Sequence, residues 1–326
     1  MHAPIVKCIF SIAIAAGTAG YAGAQSYPSK PIRLVVPFDA GGTVDTLARV
    51  VAAQITKQSG ARFIIDNRPG ANSAIGAAAV ARATPDGYTV LNVSPSLVLN
   101  ALLRKDVPYD LHKDFVPVTN LGIGQGYLLV VREDLPAKSV RELIALAKNR
   151  GDKRLTYGTP GIGNALHVAS EIFAMKAAIP LLHVPYKGSA PALTAIAAGQ
   201  VDLMMLSPAT VFPFVQNGKV RPIAFTGSER SKEFANVPTM QEAGVEDCVI
   251  KGTWVGWFVP ADTPQKAIAV LADDVNKAVH SPEVSRTLAT GGFDADGRSP
   301  AEFARFVRAE WQRYGEVLRN AKIELK

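Results

Sequence analysis

The sequence predicts an α/β protein of two lobes, each an open sheet with helices on both faces, and three observations carry that expectation. Short apolar runs of strand length alternate with segments of helical period along nearly the whole chain. Turns rich in glycine or serine follow several of those runs, where a strand hands over to a helix. About 300 residues remain once an N-terminal leader is set aside, enough for about two domains.

The leader comes first. Lys7 is followed by an apolar or small stretch from Ile9 to Ala19, and Ala22-Gly23-Ala24 then supplies small residues for cleavage before Gln25. That order marks a secretory signal, residues 1–24, and the stretch is shorter than the roughly 20 residues that span a bilayer. Cys8 lies too early to be lipidated at the cleavage site, and no later run is long enough to cross a membrane. The secreted chain keeps one cysteine, Cys248, so it has no internal disulfide, and with no histidine nearby the thiol reads as structural. The formal charge of +7 loses only Lys7 with the leader, and no block of Lys or Arg stands out. Nucleic acid is therefore not an expected partner, while a mildly positive field favours approach of anions.

The elements follow in order. Leu34-Val35-Val36, Phe63-Ile64-Ile65, Val90-Leu91 and Leu128 to Val131 read as strands buried on both faces of open, mostly parallel sheets. Leu47, Val51 and Ile55 share one face of the first helix, which Gly60 stops. Ser139 and Glu142 form a capping box ahead of Leu143, Ile144 and Ala147. Strands at Leu155-Thr156-Tyr157 and Leu182-His183-Val184 flank a helix that begins near Asn164, and two more lie at Val201 to Leu206 and Pro222 to Thr226. The last helices start at Thr263-Pro264, Ser281-Pro282 and Ser299-Pro300, each an N-cap followed by proline. Phe303, Val307, Trp311, Tyr314 and Leu318 form a core stripe on the final one.

Three turns stand where ligands bind in such sheets, outside the carboxyl ends of strands. They are Pro37 to Asp45 with its Gly41-Gly42 pair, Ser94-Pro95-Ser96, and Gly158 to Asn164. Glycine admits close approach of a ligand to the backbone, and the N-terminus of the following helix presents unpaired N–H groups to a carboxylate or phosphate. Asp45, one turn into its helix, either closes the helix start or meets a ligand amine. Lys187 reads as an exposed loop lysine that could also meet an anion.

Other chemistries lack their signatures. No Walker loop ends in Lys-Ser or Lys-Thr, and Gly122-Ile123-Gly124-Gln125-Gly126 has the wrong spacing and precedes a strand, against dinucleotide binding. No serine sits in a nucleophile elbow. His112, His167, His183 and His280 lack the spacing of a metal site, and His167 and His183 read as core or cleft residues. No catalytic group, metal or cofactor is expected.

The chain resembles the Bug-type receptors, the extracytoplasmic solute-binding proteins of tripartite tricarboxylate transporters. The likeness runs through Pro31-Ile32-Arg33-Leu34-Val35-Val36-Pro37-Phe38 with Gly41-Gly42 and Asp45, Asp66-Asn67-Arg68-Pro69-Gly70-Ala71, and Pro85-Asp86-Gly87-Tyr88-Thr89. It continues in Asp114-Phe115-Val116-Pro117-Val118, His183-Val184-Pro185-Tyr186-Lys187-Gly188, Val237-Pro238-Thr239 with Glu242-Ala243-Gly244, and Trp254 through Pro264. The resemblance implies a type II-like periplasmic-binding-protein fold joined by two crossovers. Residues 25–125 with 250–326 would form one lobe and 126–249 the other. It implies capture of a small organic carboxylate in the periplasm by a monomer that docks transiently on membrane transporter subunits. Ligand contacts carried over by position are Phe38, Gly41, Gly42, Thr43, Val44, Asp45, Ser94, Ser96, Gly161, Gly163, Asn164 and Ser207.

The sequence departs from the family where Asp39-Ala40 replaces Ala-Pro, where Asn164 replaces a hydroxyl residue, and where Ser94-Pro95-Ser96 replaces Gly-Thr. A carboxylate at residue 39 facing the cleft would favour a ligand with a cationic group. The same closed lobes would also serve a sensor that presents its ligand to a membrane partner. A periplasmic α/β hydrolase or isomerase is the third reading, which the missing nucleophile–base arrangement argues against.

Overall fold

The structure is a computed structural model and describes residues 27–320, so the leader and its cleavage site lie outside the described residues. β1 (Ile32–Val36), α1 (Thr43–Ser59), β2 (Phe63–Asn67), α2 (Ala74–Ala81), β3 (Thr89–Val93) and α3 (Ser96–Leu103) alternate before the long β4 (Phe115–Gly124). The chain then enters a second sheet. This half comprises β5 (Leu128–Arg132), α4 (Val140–Asn149), β6 (Leu155–Thr159), α5 (Ala165–Lys176), β7 (Leu181–Pro185), α6 (Ser189–Ala197), β8 (Leu203–Leu206), α7 (Pro208–Gln216) and β9 (Val220–Phe225). It returns through β10 (Trp254–Pro260), α8 (Gln265–Val279), α9 (Pro282–Thr290), β11 (Phe293–Ala295) and α10 (Pro300–Asn320).

Two sheets result, ordered β11-β4-β10-β3-β1-β2 and β7-β6-β8-β5-β9, in a two-lobed α/β fold. Their direction corrects the expectation of mostly parallel sheets. β2, β1 and β3 are parallel, as are β7, β6 and β8, but β10, β11 and β5 pair antiparallel with their neighbours. The crossovers explain this. β4 leaves the first sheet at its carboxyl end, and β10 comes back from the second sheet at that same end, so the two must run in opposite directions. β9 and β5 are related in the same way at the other end of the connection.

Alternation along the strands sends side chains to two layers. Ile32, Leu34 and Val36 face α1 and α8, while Val35 faces the layer of α2 and α3. Leu129 and Val131 join the core that α10 and α5 share, and Leu128 and Val130 pack toward α6 and α7. β2 is not buried on both faces as expected, since Ile64 is more than half exposed, and Leu182 on β7 is exposed to the same degree. Both strands are sheet edges, covered from one side only. Among the late helices, Ser281 accepts from Val284 N–H and Ser299 from Glu302 N–H, as read from sequence. Thr263 instead donates to Pro260 O at 2.7 Å, which leaves Pro264 at the cap of α8. Trp311 is the half-buried member of the α10 stripe, edge-on to His112.

Candidate functional site

Because β1, β2 and β3 run parallel, the turns that follow them share one edge of the first sheet. The turns after β6, β7 and β8 share an edge of the second. The two edges meet. Asn72 Nδ2–H, in the turn ahead of α2, donates to Gly163 O at 3.2 Å. A Cβ built on Gly188 would lie 3.6 Å from Asp39 Oδ2. The lobes are thus closed on each other, with Asp39 facing the opposite lobe across the cleft.

The first turn is held from beneath. Asp45 is buried, and its Oδ2 accepts from Gly41 N–H at 2.9 Å and Arg49 Nε–H at 2.8 Å. Its Oδ1 accepts from Asn67 Nδ2–H at 2.8 Å. Burial pushes the Asp45 pKa up, but the hydrogen bonds from Arg49, the Gly41 amide and Asn67 outweigh it and hold the carboxyl below its ordinary value. Of the two roles left open by the sequence, the geometry assigns Asp45 the closing of the helix start. Gly41 has φ 82, the left-handed conformation that lets its amide turn back to Asp45. Gly42 caps α1 in an extended conformation, and Thr43 and Val44 are half-buried in its first turn. Phe38 is half-buried, with its carbonyl accepting from Asn67 Nδ2–H. A second layer fixes this turn: Trp257 Nε1–H donates to Asn92 Oδ1 at 3.0 Å, and Asn92 Nδ2–H donates to Val44 O at 3.0 Å.

Hydroxyls gather at the second turn. Ser96 Oγ lies 2.7 Å from Ser73 Oγ and 3.1 Å from Ser94 Oγ, so α2 and α3 start from one hydrogen-bonded cluster. Ser73 and Ser96 are buried, and Ser94 is half-buried.

The third turn rests on a stack of rings. Gly161 is half-buried and Gly163 buried with φ 74. Asn164 turns its amide to the turn: Oδ1 accepts from Leu166 and His167 N–H at 2.9 Å each, and one Nδ2–H donates to Gly161 O at 2.8 Å. Asn164 is therefore the cap of α5. Gly163 N–H donates to His167 Nδ1 at 3.1 Å, so that nitrogen carries no proton and Nε2–H points toward Glu171, 3.9 Å away. The His183 ring stacks on His167 with centroids 4.0 Å apart, and Tyr157 stacks on His183 at 4.8 Å. His183 Nε2 sits 2.6 Å from Thr159 Oγ1, whose proton goes to Gly161 O at 3.0 Å. Burial lowers the pKa of His167 to about 3, helped by the neighbouring His183, and that of His183 to about 4. Tyr157 OH donates to Glu171. Ser207 is half-buried at the start of α7, with Oγ 2.7 Å from Thr210 Oγ1. Lys187 is exposed.

Most of the helix starts at the two edges share a property. α1, α2, α6 and α7 begin with no side-chain cap on their first N–H groups, whereas the first amide of α3 donates to Ser94 Oγ at 3.5 Å and Asn164 caps α5. α4 and α9 start elsewhere and carry serine caps. Four uncapped N-termini turned to one cleft, with serine hydroxyls among them, suit a small anion.

The tripartite tricarboxylate transporter family receptor model matches residues 47–323. The chain belongs to that family of receptors. BugT of Bordetella pertussis is 32% identical over 313 residues, covering 95% of this chain and 95% of BugT. The structure of R. palustris Rpa4515 with adipate superposes with a TM-score of 0.86 at 34% identity, covering 91% of this receptor and 99% of that chain. MatC from Rhodopseudomonas palustris with bound malate gives 0.81 at 30% identity, covering 90% and 100%. The receptor shares the fold of Rpa4515 and MatC over nearly their whole length. Among its described residues, no helix is long and apolar enough to cross a membrane.

The sequence did not single out the turn at Ala71-Asn72-Ser73, nor Asn100 beneath it, nor Asn92 beneath the first turn. The signal available was polar residues inside otherwise apolar elements, Asn92 in β3 and Asn100 in α3, both buried.

Proposed function

We propose that the receptor captures a small organic carboxylate in the periplasm, between lobes formed by residues 25–125 with 250–326 and by 126–249, and hands it to the membrane subunits of a tripartite transporter. The observation that carries this reading is the convergence of uncapped helix N-termini on one cleft. Their N–H groups hold a carboxylate without a countercharge that would have to be desolvated. Phe38, Gly42, Thr43, Val44, Ser94, Gly161, Gly163 and Ser207 line or support that cleft. Ser96, Asp45 and Asn164 act from beneath, by shaping the turns. The adipate of Rpa4515 and the malate of MatC support a dicarboxylate, whereas Asp39 on the mouth of the cleft disfavours a second anionic end there and favours a ligand amine.

The receptor acts as a monomer that opens and closes and catalyses nothing. Thr159 and His183 form the hydroxyl–imidazole pair closest to a nucleophile and base. Thr159 is fully buried and its proton is committed to Gly161 O, so it is not presented to a ligand.

Thermal unfolding of the chain from Gln25 onward, against adipate, malate, acidic amino acids and aromatic acids, tests the reading. A ligand at about a hundred times its Kd adds roughly 2.7 kcal/mol to stability and raises the melting temperature. No rise with any acid, together with native mass spectra free of a copurified ligand, would overturn it.

A further inference from the structure

We infer that Asn72 is a latch between the lobes, a side chain that stabilises the closed receptor even without a ligand. Ala71, Asn72 and Ser73 are three successive non-glycine residues at positive φ, 48, 51 and 81°. Asparagine tolerates that conformation, and here it is pinned by a partner. The Asn72 carbonyl accepts from Asn100 Nδ2–H at 2.6 Å, and the Asn72 amide Nδ2–H donates to Asn100 Oδ1 at 3.2 Å. Asn100 is itself buried in α3. The Asn72 amide is thereby aimed across the cleft before closure, and its remaining N–H reaches Gly163 O at 3.2 Å.

Away from the two crossovers, this is the one hydrogen bond between the lobes among the described residues. Gly163 is also the residue whose amide His167 holds, so both faces of that peptide segment are fixed when the lobes close. A contact made only in the closed arrangement raises the closed population and lowers the apparent Kd of every ligand by the same factor. The affinity part of this inference rests on the cleft being the ligand site. The closure part does not.

The test measures lobe separation in the ligand-free protein by pulsed spin–spin distance measurements, with labels at Lys113→Cys and Lys219→Cys in a Cys248→Ser background. Both lysines are exposed, one before β4 and one before β9. Asn72→Gly keeps the backbone conformation open to it and removes the amide. Asn72→Asp keeps the shape and sets a carboxylate against Gly163 O. Both are expected to cut the closed-to-open ratio roughly two- to tenfold, the range of one neutral hydrogen bond. Both should weaken all bound acids by a common factor. A ligand-free protein with no closed component, an unchanged ratio in either variant, or a loss confined to one class of acid would overturn the latch. If closure responds to Asn72 while no carboxylate binds, the latch stands and the proposed ligand class falls.

Discussion

His167→Asn should flatten the acid sensitivity of the fold. The substitution sets an amide oxygen near the place of Nδ1, so the Gly163 N–H keeps an acceptor, and it removes a titrating ring. In the wild type His167 has a pKa of about 3 in the folded state against an ordinary value of 6.5. Between those values the unfolded chain binds more protons than the folded one, so stability is complete above about pH 6.5 and is lost as pH falls toward the folded value. Integrating over pH 7 to 5 gives about 2 kcal/mol for this one ring. His183 adds a smaller amount, because it is less buried and better screened. Urea unfolding of wild type and variant at pH 7 and pH 5 reads the difference directly. The stability gap should shift by about 2 kcal/mol toward the variant at pH 5. A gap that is the same at both pH values would show that the His167 ring is not held neutral by its surroundings, and the account of the third turn would be wrong.

Asp45→Asn replaces one acceptor oxygen by a donor, so either the Asn67 amide or the Gly41 and Arg49 donors face it unpaired. Urea titration should show a loss of about 2 to 3 kcal/mol, the range for a buried charge-assisted hydrogen bond; no loss would mean that the anchor is not one. Asp39→Asn should raise affinity for dicarboxylates relative to zwitterionic acids in calorimetry, and an unchanged ratio would remove Asp39 from ligand selection. At Gly42 an added Cβ would meet nothing closer than Asp39 O at 3.5 Å, in an extended conformation open to any residue. Gly42→Val should therefore melt within a few degrees of wild type and yet lose binding, since its branches stand before the uncapped start of α1; retained affinity would move the ligand elsewhere. Cys248→Ser, at a buried thiol whose pKa burial pushes up to about 11, should leave ligand affinity unchanged, and a large loss would contradict its structural role.

The alternation of strand and helix was legible because β1, β3 and β5 each carry a short apolar run and the helices carry caps or stops that act locally, such as Gly60 and Ser281. β4, β10 and β11 were not read as strands. β4 carries Pro117 and two glycines, and β10 bends at register shifts on either side of Trp257, where Gly256 makes room for the Phe303 ring. A strand whose pattern is broken by bulges has no period to read, and its pairing is decided by where the crossover brings it back. The same fact hid the antiparallel pairings, since direction follows from the end at which the chain returns.

The turns of the site were legible for a related reason, and what supports them was not. Glycine and serine after a strand announce a backbone close to a ligand, whatever the tertiary context. Asp45, Asn164 and Ser96 belong to those turns by position, but each turns its polar atoms inward and acts by fixing neighbouring amides. The residues that aim the turns come from other elements: Trp257 and Asn92 for the first, Asn100 for the Asn72 turn, and His167 with His183 for the third. Asn92, Asn100 and His167 read in sequence as polar interruptions of a core face, and each is buried with a hydrogen bond made outside its own element. A cleft that must hold an anion on bare N–H groups needs those groups kept from turning toward acceptors of their own. In this receptor buried amides and neutral imidazoles do that, by occupying the alternative donors and acceptors of each turn.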